Sequence, residues 1–141
     1  MSTQRECYEW AVATFGTVAT LSHERALRLI EESLELVQAV GLSREDIIKV
    51  LDRTYSREVG LIPQEIGQVE LTLRCLAHQC GFNVEHECDL EFERVTAIPP
   101  EHWEKRHENK VDAGTAEPIG VLSEMTPNEP KRDQTMQDDT K

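Results

Sequence analysis

The sequence predicts an all-α protein, a bundle of four to five helices. Apolar residues recur at three- and four-residue spacing from about residue 4 to about residue 96, the period of an α-helix. Runs that alternate apolar and polar residues, the mark of a half-buried strand, are nearly absent. Ser, Pro and Gly stand where helices of ordinary length should start and stop.

The first helix spans roughly residues 4–19, with Tyr8, Val12, Phe15 and Val18 or Ala19 on one face. Ser22 is placed to cap the second, which runs to Gly41, a residue free to adopt the left-handed conformation that ends helices. The third opens with "SRED". Ser43 caps it, Asp46 takes the acidic position of a capping box, and Ile47, Val50, Leu51 and Tyr55 form the inner face. After a connection at 56–62, Pro63 suits the first position of a fourth helix that ends at Gly81. A fifth, from about Asn83 to Ala97, buries Val84, Cys88, Phe92 and Val95.

Two prolines in "IPPEHWEKRHENK" break the fifth helix, and a short polar helix restarts after them. Residues 1–98 then form the helical domain, and 99–110 a short polar helix or extension. From 111 to 141 Pro, Thr, Asp and Glu replace the periodic pattern. So little apolar surface cannot offset the entropy of ordering, which predicts a disordered acidic tail.

The 141 residues carry 15 Lys and Arg against 27 Asp and Glu, a formal charge of -12. Such a surface repels a nucleic-acid backbone, which argues against a polymer of nucleotides as partner. A single nucleotide screened by a cation is not excluded. The opening "MSTQRECYEW" is unlike a signal peptide, and no apolar run approaches the ~20 residues that cross a bilayer. The expectation is a cytoplasmic protein without membrane contact, its Cys7, Cys75, Cys80 and Cys88 reduced. "CLAHQCGFNVEHEC" gathers three of these with His78 and His86, yet lacks the C-x-x-C spacing of common structural zinc sites. The other role for Cys75 and Cys80 is as small packers on a helix.

On the second helix Leu27, Leu29, Ile30, Leu34, Leu36, Val37 and Val40 fill about half of the circumference, so the helix meets more than one neighbour. Arg28, Glu31, Glu32, Glu35 and Gln38 share the opposite arc. Glu31 and Glu32 both neighbour Glu35, and each like-charge pair costs an isolated helix about 0.2–0.5 kcal/mol. Either water and Arg28 screen this face, or its carboxylates hold a hard cation such as Mg²⁺. The fourth helix carries Glu65, Gln68, Thr72 and Gln79 as a polar strip between apolar arcs. Such a strip is costly to bury unless it binds something. It would meet a facing helix through a bridging cation, or form an internal network with Glu65 protonated or paired to an arginine.

Taken in order, Glu31-Glu32-x-x-Glu35 and then Glu65-x-x-Gln68 resemble the MazG-like, all-α nucleoside triphosphate pyrophosphohydrolases, whose pattern is E-x-x-E and, on a later helix, E-x-x-D. Glu32 and Glu35 match the first motif, Glu31 the doubled glutamate of many members, and Glu65 the glutamate of the second. "WAVATFG", "ERALRLIEESLELVQAVGLSRED" and "REVGLIPQEIGQVELTLRCLAHQCG" are similar to a MazG-like subgroup of phage and bacterial genomes, over roughly residues 8–95. The resemblance implies a bundle completed by homo-oligomerisation into a homodimer or homotetramer. It implies hydrolysis of an NTP or dNTP to the monophosphate and pyrophosphate. It also implies Mg²⁺, or Mn²⁺ in its place, held by Glu31, Glu32, Glu35, Glu65 and Gln68, with Glu32 and Glu35 catalytic.

Phosphate-contacting groups are implied near the last core helix, where Arg94 and Lys105 are candidates beside Arg106, Asn109 and Lys110. Trp10 or Phe15 would stack on a base or pack in the core. Gln68 departs from the pattern: it stands where the family has a metal-binding aspartate, brings no charge and cannot act as a base. Three functions follow. The first is a Mg²⁺-dependent pyrophosphohydrolase, and the second a catalytically degenerate oligomer that binds nucleotide or a protein partner without turnover. The third is a zinc-stabilised adaptor using Cys75, His78, Cys80, His86 and Cys88.

Overall fold

The computed structural model describes residues 1–119, which form α1 (Gln4–Phe15), a 3₁₀ turn (Gly16–Thr20), α2 (Ser22–Val40), α3 (Arg44–Tyr55), α4 (Ile62–Cys80), α5 (Val84–Thr96) and α6 (Pro100–Asp112). The described residues contain no strand, so the all-α class holds. None of their helices is long and apolar enough to cross a membrane.

Local chemistry sets most of the boundaries. Thr3 and Glu6 form a capping box at α1. The Ser43 hydroxyl accepts the Asp46 N–H at 3.1 Å, and the Asn83 side chain accepts the His86 N–H at 2.9 Å. Gly41 and Gly81 take φ values of 105° and 83°. That turns the next N–H, of Leu42 and Phe82, onto the carbonyls of Val37 and Ala77, each at 2.9 Å. Ser22 is not a cap. Extended backbone at Leu21 starts α2 one residue early, so Ser22 is its first helical residue.

The core gathers at one end. Ala11, Val18, Ala19, Val95 and Trp103 are buried, with Glu24 and His107 beside them. Trp10 meets Trp103 edge-on at 5.8 Å between ring centroids and Phe15 at 5.9 Å. Helix α6 therefore belongs to the core, whereas the sequence suggests a polar extension at 99–110. Ser2 donates its N–H and hydroxyl to Asp89 Oδ1, at 2.6 and 2.7 Å, which ties the N-terminus to α5.

The stretch expected to be a disordered tail starts as structure. Helix α6 runs to Asp112, the Thr115 carbonyl accepts from Arg28, and the Glu117 N–H donates to Glu24 Oε2 at 2.8 Å. The rest of the expected tail, 120–141, lies outside the described residues.

The other end is open. Helices α3 and α4 bury none of their residues. The expected inner face of α3 is uncovered within one chain, with Tyr55 84% exposed. Cys88 on α5 is likewise exposed, although Val95 on the same helix is buried. Amphipathic spacing predicts that a face needs a partner; it does not say that the partner lies in the same chain.

Candidate functional site

Helix α2 presents Glu24, Arg28, Glu32 and Glu35 at spacings of four, four and three, one stripe along the helix. That stripe walls an open-mouthed cavity of about 510 Å³ that α1, α5 and α6 also line. Trp10, Phe15 and Trp103 supply an aromatic wall. Arg94 and Glu91 enter from α5, Arg106, His107 and Lys110 from α6.

The acidic residues are not equivalent. Glu31 is neutralised outside the cavity by Arg28 and by Lys110, whose Nζ is 2.9 Å from Oε2. Glu32 has no such partner. Burial pushes its carboxyl above the usual range, and the charges of Glu35 and Glu31 push the same way. Glu91 grips Arg94 through two bonds of 2.8 and 2.5 Å, which hold its carboxyl below the usual range.

Glu24 is fully buried, and sequence reasoning missed it. Its Oε2 accepts the Glu117 N–H. Its Oε1 lies 3.2 Å from Arg28 Nε and 3.9 Å from His107 Nδ1 without aligning with either. Arg25 Nε, Arg28 Nε and Trp103 Nε1 are also buried without a hydrogen-bond partner. Four buried polar groups beside one cavity thus lack an aligned hydrogen bond, two of them, Glu24 Oε1 and Arg28 Nε, facing each other as an ion pair. A signal for them exists in the sequence: Glu24, Arg28 and Glu31 form a charge ladder at helical spacing, and Trp103 and His107 are four apart.

Of the residues the sequence singles out, Glu32, Glu35, Trp10 and Arg94 line the cavity. Lys105, Glu65 and Gln68 do not. Glu65 folds back over the turn before α4, where a Cβ placed on Gly60 would lie 2.0 Å from its Oε1. Gln68 is exposed, its carbonyl accepting the Thr72 hydroxyl at 2.9 Å. Among the described residues, no three His, Cys, Asp or Glu side chains of one chain come together to hold a metal ion. That applies to the expected carboxylate set and to the Cys75–Cys88 region alike. Cys75 and Cys80 are exposed as well, and so pack nothing within one chain.

An aromatic wall beside guanidinium and ammonium groups offers a flat ring a stacking surface and an anion its countercharge, while the carboxylates of Glu32 and Glu35 oppose a bare anion. Comparison with protein-family models, curated proteins and solved structures finds no match to this chain.

Proposed function

We propose that this chain is a MazG-like nucleotide pyrophosphohydrolase that works as a homo-oligomer, converting an NTP or dNTP to the monophosphate and pyrophosphate. The observation that carries this reading is the cavity, in which Glu32 and Glu35 share one space with Arg94, Lys110 and the Trp10–Trp103 wall. The rings offer a stacking surface for a base, and Arg94 and Lys110 would exchange Glu91 and Glu31 for the phosphates. Glu32, its carboxyl raised by burial and by Glu35, is placed in the cavity to take a proton from water. Mg²⁺ would supply phosphate neutralisation, but the residues of one chain do not fit it, because Glu65 rests at Gly60, away from the cavity.

Purified protein incubated with each NTP and dNTP and Mg²⁺ or Mn²⁺ is expected to release pyrophosphate. Glu32→Gln is expected to lower turnover by about 10²–10⁴-fold, the range for losing a positioned acid–base group. Gln68→Asp is expected to raise turnover by restoring a charged ligand; a flat response would detach α4 from the chemistry.

Gln68 favours a second reading, a degenerate member that binds nucleotide without hydrolysis. Metal-dependent nucleotide binding with no pyrophosphate released, by wild type and Gln68→Asp alike, would select it.

A further inference from the structure

We infer that Cys7 and Cys88 form an oxidation site, where a small dissolved disulfide such as oxidised glutathione converts the two thiols into one bond joining α1 to α5.

The start of α1 is built onto α5. Ser2 donates its N–H and its hydroxyl to Asp89 Oδ1, and the same hydroxyl lies 3.9 Å from Cys88 Sγ. The Thr3–Glu6 capping box then starts the helix, and the Cys7 N–H closes its first turn on the Thr3 carbonyl at 3.1 Å. Cys7 thus stands one turn beyond the contact with α5, and it and Cys88 line the same cavity. The two thiols act on each other: burial pushes the Cys7 thiol up, and the neighbouring Cys88 pushes it the same way. Cys75 and Cys80 make the contrast. Five positions apart on α4, their side chains leave the helix about 140° apart and cannot pair within it.

The two sulfurs differ in the way the chemistry needs. Cys88 is exposed and Cys7 is half-buried, so Cys88 meets the oxidant first. Its thiolate bonds to one glutathione sulfur, the S–S bond of the oxidant breaks, and one glutathione thiolate leaves. The Cys7 thiol then gives its proton to water and attacks Cys88 Sγ. The Cys7–Cys88 bond forms as the second glutathione thiolate leaves. Two protein thiols are oxidised, and one glutathione disulfide is reduced to two thiols. Where the surroundings keep thiols reduced, a bond of this kind is transient and reports on oxidant. Helices α1 and α5 are both walls of the cavity, so the bond fixes two walls against each other whatever ligand the cavity takes.

The test uses the full, folded chain carrying Cys75→Ser and Cys80→Ser, treated with oxidised glutathione, quenched with iodoacetamide and weighed by mass spectrometry. The expected product is a single chain lighter than the reduced one by two hydrogen atoms and free of glutathione, with digestion leaving the Cys7 and Cys88 peptides joined. Adding Cys7→Ser should trap glutathione on Cys88, because no second thiol is there to displace it. With Cys88→Ser instead, glutathione should attach to Cys7 about 10-fold more slowly than to Cys88 in the Cys7→Ser chain. The oxidised chain should melt above its reduced form, and reductant should reverse the shift. Glutathione persisting on both cysteines of the folded chain, or a bond found only between two chains, would overturn the proposal. So would a bond that forms only in denaturant, or an oxidised chain that melts below the reduced one, since either means that the folded helices hold the thiols apart.

Discussion

Trp103→Ala is expected to destabilise the protein by about 3–5 kcal/mol, the usual cost of truncating a buried aromatic residue. Trp103 is 8% exposed in a core with few other large side chains. Its ring meets Trp10 and Phe15, and the Arg106 guanidinium sits 5.4 Å above it. A loss of that size is a large part of the 5–15 kcal/mol that ordinary domains possess, so the melting transition should fall steeply or vanish. Trp103→Phe should cost less, since a ring remains and an unpartnered buried N–H is removed. Arg106→Ala should cost only about 0.5–1 kcal/mol, the size of an exposed cation–π contact. Melting followed by circular dichroism at one protein concentration separates the three, because any association would shift the midpoint with concentration. A wild-type melt for Trp103→Ala would remove α6 from the core.

That expectation concerns a helix whose importance the sequence understates. Residues 100–112 contain mostly Glu, Lys, Arg, His and Asn, and the two side chains that matter, Trp103 and His107, are one turn apart in a polar run. Periodicity weighs many residues, so a helix anchored by two scores as surface. Most limits of α3, α4 and α5 were readable because single residues determine them: Ser43, Gly81 and Asn83 act through local hydrogen bonds or backbone freedom, while α4 starts at Ile62, one residue before the expected Pro63.

The site divides along the same line. That Glu32 and Glu35 share a face follows from spacing, and they do share the cavity. Which face meets which is a property of tertiary packing, so Glu65 could be assigned to a polar strip but not to a neighbour. The buried Glu24 was hidden for a related reason: beside Arg25 and Arg28 it reads as one more surface charge.

Glu24→Ala is expected to cost about 3–5 kcal/mol, the penalty for removing one member of a buried ion pair. The carboxylate is the only acid within salt-bridge distance that lies fully buried beside Arg28, and it also receives the Glu117 N–H and faces His107. Its removal leaves a largely buried guanidinium with Glu31 and the Thr115 carbonyl, and takes away one of the bonds that hold the 113–119 segment, beside those of His23 and His107 to Glu117. Glu24→Gln keeps the shape and an acceptor for the Glu117 N–H, and should cost about 1–3 kcal/mol, as for a buried group left partly unsatisfied. The pair Glu24→Leu with Arg28→Met removes both charges together and should be less damaging than either single change, because no lone buried charge remains. Proteolysis offers a second readout. With Glu24 intact, residues 113–119 should resist cleavage as long as the fold does; in Glu24→Ala, cleavage there should begin well below the melting temperature. Equal melting of Glu24→Ala and Glu24→Gln would mean that charge at this position is immaterial and that the carboxylate serves only as an acceptor for the strap.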